Sequence, residues 1–119
     1  FVWIYTPGHG NGEMGTKALY CAFDQGKFWE AHDKLMTNKG YSLINDTIKN
    51  DKTKSQELVD FLGMPALKEC LDSGKYDARL GEDTQLAGSL GVSGTPGFFV
   101  NETKFAGAYS WNDMKSALK

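Results

Sequence analysis

The two cysteines have the most chemistry open to them, and their spacing limits it. Cys21 and Cys70 stand 49 positions apart, and no Cys-x-x-Cys occurs anywhere in the chain. A thiol attacks as its thiolate, which forms most readily at a helix N-terminus or beside a cation. Both cysteines instead sit inside helical stretches among apolar residues, which disfavours a redox pair that turns over. Two readings stay open on residues alone: a structural bridge, or two buried free thiols. Two cysteines are too few for a cysteine zinc site or a disulfide-scaffold miniprotein. His9 lies in the loop PGHGNG and reads as a solvated side chain. His32 falls on an apolar stripe with Phe28 and Met36, where a hydrogen-bonded core histidine is expected. His9 and Glu13 do not form a metal motif, and no metal site is expected.

The elements that must position these groups follow from periodicity. Residues 1–6, FVWIYT, are β-branched and aromatic and end at Pro7-Gly8, which predicts a strand buried on at least one face. From Glu13 the period turns helical, with Met14, Ala18, Cys21 and Ala22 on one side. Gly26 interrupts, and Phe28, His32, Leu35 and Met36 form a second stripe. Residues 37–57 are polar and carry a short helix flanked by turns; their mixed charges read as a solvated face. Leu58, Phe61 and Leu62 close another helix at Gly63. Pro65 is expected at the first turn of the next, whose buried side is Ala66, Leu67, Cys70 and Leu71. Tyr76 to Leu90 is the longest helical pattern, with Leu80, Asp83/Thr84 and Ala87 on one face and Gly91 as its stop. GFFVN and KFAGAY form a hairpin over 97–108, turning at Asn101-Glu102-Thr103. Ser110 and Asp113 form a capping box for a last helix whose stripe is Trp111, Met114, Ala117 and Leu118. The three tryptophans and Phe98/Phe99 read as core.

Composition sets the outer limits. At 119 residues, 40% of them hydrophobic, the chain can build one packed core. Its net charge is −2 and Arg79 is the single arginine, which argues against a nucleic-acid surface. No apolar run approaches the length of a membrane span. No signal peptide is visible in a chain that starts inside an apolar run. No internal repeat or domain-separating linker appears.

Three segments then carry a family resemblance. GVSGTPGFFVN, Gly91 to Asn101, resembles the proline loop of the thioredoxin fold. QGKFWEAHDKLM, Gln25 to Met36, and the long segment Glu69 to Val100 resemble the DsbA-like thiol–disulfide oxidoreductases. These segments agree in order and spacing over nearly the whole chain. The resemblance implies an α/β architecture: an incomplete thioredoxin-like fold with an inserted all-helical subdomain. Residues 1–119 would form one domain, with the helical insertion at 13–74 and the thioredoxin-like part at 1–12 and 75–119. In that family a strand and a helix beginning with Cys-x-x-Cys precede the segment resembling FVWIYTP. The chain is therefore expected to be truncated ahead of that segment and inactive alone.

The resemblance implies further expectations. Pro96 would be cis, and Gly94, Thr95 and Pro96 would hold an extended substrate beside the catalytic cysteines. An oxidising compartment, extracytoplasmic in the periplasm or cell envelope, would favour a structural disulfide between Cys21 and Cys70. Partners would be cysteine-containing protein substrates and a membrane redox protein, with no cofactor and no nucleic acid. The absent central strand would leave residues 1–6 and 97–101 without a ladder partner. A swapped homodimer, or association with the missing N-terminal segment, is expected to fill that gap. Two alternatives are a glutathione-dependent kappa-class transferase or isomerase, with a serine at the missing position, and a non-redox peptide-binding module.

Overall fold

The computed structural model describes residues 2–6, 11–92, 97–100, 103–106 and 111–115. Six helices precede a hairpin. They are α1 (Glu13–Asp24), α2 (Phe28–Leu35), α3 (Asn38–Ser42), α4 (Ser55–Leu62), α5 (Leu67–Ser73) and α6 (Asp77–Ser89). A π-helical stretch, Leu43–Ile48, extends α3, and a 3₁₀ turn, Lys52–Lys54, leads into α4. β1 (Gly97–Val100) and β2 (Thr103–Ala106) follow, then α7 (Trp111–Met114). The described residues make an α/β chain that is mostly helical, with a small two-stranded sheet.

The core lies in the helical body. Met14, Ala18, Leu19, Cys21 and Ala22 of α1 meet Ala31 and Leu35 of α2, Leu58, Val59 and Leu62 of α4, and Leu67 and Leu71 of α5. Ile44 and Ile48 of the π-helical stretch complete it. Helix ends are satisfied locally. Thr37 Oγ1 accepts the Gly40 N–H at 3.1 Å, the N-cap bond of α3. The N-terminus of α1 is served from a distance, since Asn50 Oδ1 accepts the Glu13 N–H at 3.2 Å. Lys34 Nζ donates to the Leu62 carbonyl at 2.7 Å, at the C-terminus of α4. Gly63 ends α4 at φ 68°, a left-handed position that favours glycine. Gly40 is required by space, because a Cβ there would sit 2.5 Å from the Leu35 carbonyl oxygen.

Several expected details differ. Residues 2–6 enter no sheet among the described residues, and Val2 is 75% exposed. The β-rich composition is there, but a strand exists only through a ladder partner. α5 begins at Leu67, with Pro65 and Ala66 in the turn before it. Thr103 belongs to β2, facing Val100 in an antiparallel register that also pairs Phe99 with Lys104. Met36 is exposed rather than on a buried stripe, since α2 ends one residue before it. Of the tryptophans, Trp29 and Trp111 are exposed and only Trp3 packs on the core edge.

Candidate functional site

Cys21 and Cys70 form a disulfide, with Cα atoms 6.0 Å apart. α1 presents Cys21 to the core and α5 presents Cys70 at its edge, so the bridge ties the first long helix to the fifth. Cys21 is buried and the sulfurs are bonded to each other, which leaves no thiolate in this state. His32 packs edge-on against Trp3 and Trp29, at 5.6 and 5.1 Å between ring centroids, and its Nδ1 lies 3.2 Å from Asp33 Oδ1. Gly94, Thr95 and Pro96 lie outside the described residues, as does His9. The flanks of that loop are described: Val92 donates its N–H to the Ala87 carbonyl, and Gly97 opens β1. Among the described residues no cluster of three or more histidines, cysteines or carboxylates could hold a metal.

A second assembly was not anticipated. Asp83, on the inner face of α6, is 3% exposed. Its Oδ2 accepts the Tyr5 N–H at 3.1 Å and also the Tyr20 hydroxyl. Its Oδ1 accepts Arg79 Nε–H at 2.7 Å, one helical turn away. The Trp3 carbonyl faces the same cluster, with Tyr20 Oη at 3.1 Å and Arg79 Nη2 at 3.4 Å. The guanidinium lies 4.7 Å from the centre of the Tyr20 ring, a cation–π contact. Burial, and then the bond to Asp83, hold the Tyr20 phenol well above its usual pKa. A buried carboxylate must be paired to remain charged, and here the pairing fastens segment 2–6 to α1 and α6. The sequence signal was an arginine and an aspartate at i, i+4 with the aspartate on an apolar face.

Two hollows flank segment 2–6. One, of about 330 Å³, is lined by Tyr5, Glu13, Lys17, Lys52, Asp77 and Thr84 among others. Lys17, nearly buried, pairs with Asp77 Oδ1 at 2.7 Å, and Lys52 pairs with Oδ2 at 2.8 Å. These two ammonium groups hold the Asp77 carboxyl below its ordinary range. The other, of about 480 Å³, lies between segment 2–6 and the α1–α2 corner, with Trp3, Phe23, Phe28, Trp29 and Arg79 in its wall. Among the described residues its lining is mostly aromatic with Arg79 as the single charge, which fits an apolar guest.

The comparisons with known proteins point one way for fold and leave activity to argument. The sequence profile of the family described as Thioredoxin matches residues 5–119. Two curated relatives are named Na(+)/H(+) antiporters. NhaA 1 of Salinispora arenicola is 31% identical over 99% of this chain, and NhaA 3 of Salinispora tropica is 30% identical over the same share. The chain spans 18% of the length of each. Among the described residues no helix is long and apolar enough to cross a membrane. No solved structure matches.

Proposed function

The chain belongs to the thioredoxin family, and on that premise we propose that it is part of a DsbA-like thiol–disulfide oxidoreductase acting on extracytoplasmic proteins. One observation carries the reading: the family match runs through the Gly94-Thr95-Pro96 loop and the whole helical body. The Cys21–Cys70 bridge supports it, because structural disulfides persist in oxidising compartments. In this reading residues 1–119 supply the proline loop and the helical scaffold. The catalytic cysteine pair comes from elsewhere in the longer protein.

The chemistry proposed is thiol–disulfide exchange. A substrate thiolate attacks one sulfur of the enzyme's disulfide, and the other sulfur leaves as a thiolate. A second substrate thiolate then attacks the mixed disulfide. The substrate becomes oxidised to its disulfide, and the enzyme is left as a dithiol. Thr95, next to Pro96, would offer its backbone N–H and carbonyl to the substrate chain. By resemblance to the DsbA-like proteins, a membrane redox protein would restore the disulfide, and the relatives' antiporter names fit a domain joined to a transport unit.

The test uses the full-length protein. It is expected to speed disulfide formation in reduced, unfolded ribonuclease, and residues 1–119 alone are expected to give only the uncatalysed rate. Pro96→Ala in the full-length protein should slow turnover by about ten-fold or more while leaving the thiol count unchanged. A full-length protein that neither oxidises nor reduces protein thiols would overturn this reading.

A further inference from the structure

The Cys21–Cys70 bridge is unequally placed between its two helices. Cys21 is 1% exposed and lies inside the apolar cluster of the helical body. Cys70 is half-buried, on the border of α5 between the buried Leu67 and Leu71 and the exposed Glu69, Asp72 and Ser73. A thiolate that opens a disulfide approaches in line with the bond it breaks, so access to each sulfur decides which is attacked. Packed core closes Cys21 to a reagent of any size, whereas Cys70 stands where the core meets solvent. Attack at Cys70 expels Cys21, and burial in apolar surroundings raises a thiol's pKa and makes it a slower leaving group. Access and leaving-group quality therefore oppose each other. Access decides, because the core admits no thiol without unfolding.

Polar straps hold the same helices together independently of the sulfurs. Asp24, one turn after Cys21, accepts Lys75 Nζ at 2.7 Å and the Tyr76 hydroxyl at 2.6 Å. Lys17, one turn before Cys21, pairs with Asp77 at 2.7 Å. The turn from α5 into α6 is thereby fastened to α1 on both sides of Cys21. A freed Cys21 thiolate stays beside Cys70 at high effective concentration, which favours re-closure over unfolding. The bridge belongs to the helical body. α5 packs on α1 and α4, and among the described residues none of α5 lines the hollows beside segment 2–6. The surroundings of Cys70 are set by the helices that carry it, not by the strand expected to pair with residues 1–6.

We propose that Cys70 is an entry site for low-molecular-weight thiols such as glutathione, which makes the Cys21–Cys70 bridge a reversible, thiol-sensitive tie. The small thiolate attacks Cys70 Sγ and forms a mixed disulfide there. The bond between the two protein sulfurs breaks, its electron pair goes to Cys21 Sγ, and that thiolate takes a proton from water. Either Cys21 then attacks Cys70 again as a thiolate and expels the small thiol, or a second small thiolate attacks the sulfur of the first. The latter route releases a small-molecule disulfide and leaves Cys21 and Cys70 as thiols, so two small thiols are oxidised as the bridge is reduced. The site is separate from the catalytic pair proposed for the longer protein and does not rest on its activity.

The probe is reduced glutathione, in excess over the oxidised full-length protein and without denaturant. Samples are quenched at short times, free thiols are alkylated, and tryptic peptides are weighed. Trypsin separates residues 18–27, which hold Cys21, from residues 69–75, which hold Cys70. The glutathione adduct should appear on 69–75 in about ten-fold or greater excess over 18–27, with the alkyl group on Cys21. Its rate of formation should rise in proportion to glutathione concentration. Glu69→Lys, at an exposed position beside Cys70, should speed it about three-fold by removing negative charge from the path of an anionic thiolate, and salt should erase the gain. Three results would overturn the proposal. One is an adduct shared equally between the two peptides, which would mean attack on an unfolded chain. Another is a rate that levels off with glutathione concentration and ignores Glu69→Lys, which would make opening of the helical body the limiting step. The third is a bridge that stays closed until urea is added.

Discussion

Leu58 and Tyr5 belong to one chain but are fixed by different forces. Leu58 is wholly buried within the apolar cluster of the helical body, and nothing polar is needed to keep it there. Tyr5 is held through its backbone N–H by one buried carboxylate. The helical body is stabilised by area removed from water, spread over many residues. Segment 2–6 depends on a few charge-assisted bonds converging on Asp83. The first arrangement tolerates the loss of any one contact better than the second. It is also covalently tied, whereas the segment is not.

That contrast can be broken from either end. The largest effect is expected at the bridge. Replacing Cys21 and Cys70 together by serine should lower unfolding free energy by about 4 kcal/mol, from a closed loop of this length in the chain-entropy model. Urea denaturation of the variant against the oxidised parent measures it, and a loss near zero would mean that packing alone joins α1 to α5.

Next come paired substitutions in the two regions. Leu58→Ala should remove about 3 kcal/mol through lost burial and a residual cavity. Val2→Thr, at an exposed position, should stay within about 0.5 kcal/mol of the parent. Equal effects at both sites would erase the distinction drawn between body and segment.

Asp83→Asn should remove about 2 kcal/mol, because a buried acceptor of three donors loses its charge while Arg79 keeps its own. The diagnostic is local. The Tyr5 amide should exchange much faster in this variant, while amides in α4 slow or quicken only with global stability. Uniform acceleration across the chain would show that Asp83 supports the whole body instead of one segment.

The smallest effect concerns pH. Lys17 and Lys52 lower the Asp77 pKa, and Lys75 with Tyr76 lowers that of Asp24. A carboxyl whose folded pKa lies below its unfolded one contributes stability above the unfolded value. That contribution is lost as pH falls through the folded pKa. Stability should therefore decline below about pH 4, modestly, since both groups are partly solvated. Asp77→Asn should flatten part of that decline in urea midpoints measured across acid pH.

How much of this was legible depended on how local each cause is. The helical stripes of α1, α4 and α6 could be read because a 3.6-residue period places Ala18 with Ala22, and Leu80 with Ala87, whatever surrounds them. Gly63 and Gly91 could be read as helix ends because left-handed backbone is a property of the residue itself. The hairpin of β1 and β2 joins neighbours in sequence, and a turn signal suffices for it. The family resemblance added the proline loop, whose residues Gly94, Thr95 and Pro96 lie outside the described ones.

What only the tertiary structure decided were the meetings of distant residues. FVWIYT has the composition of a strand, but composition does not supply a ladder partner, and residues 2–6 are held by Asp83 from 78 positions away. Trp29 and Met36 looked like core because their types are apolar, and both are exposed, Met36 just past the end of α2. The sequence could say that Cys21 and Cys70 lay on buried helical faces. That those faces belong to adjacent helices, 6.0 Å apart at Cα, follows from how α1 and α5 pack. Local preference acts through a residue's own backbone and nearest turn. A bridge or a buried carboxylate is defined by what arrives from elsewhere in the chain.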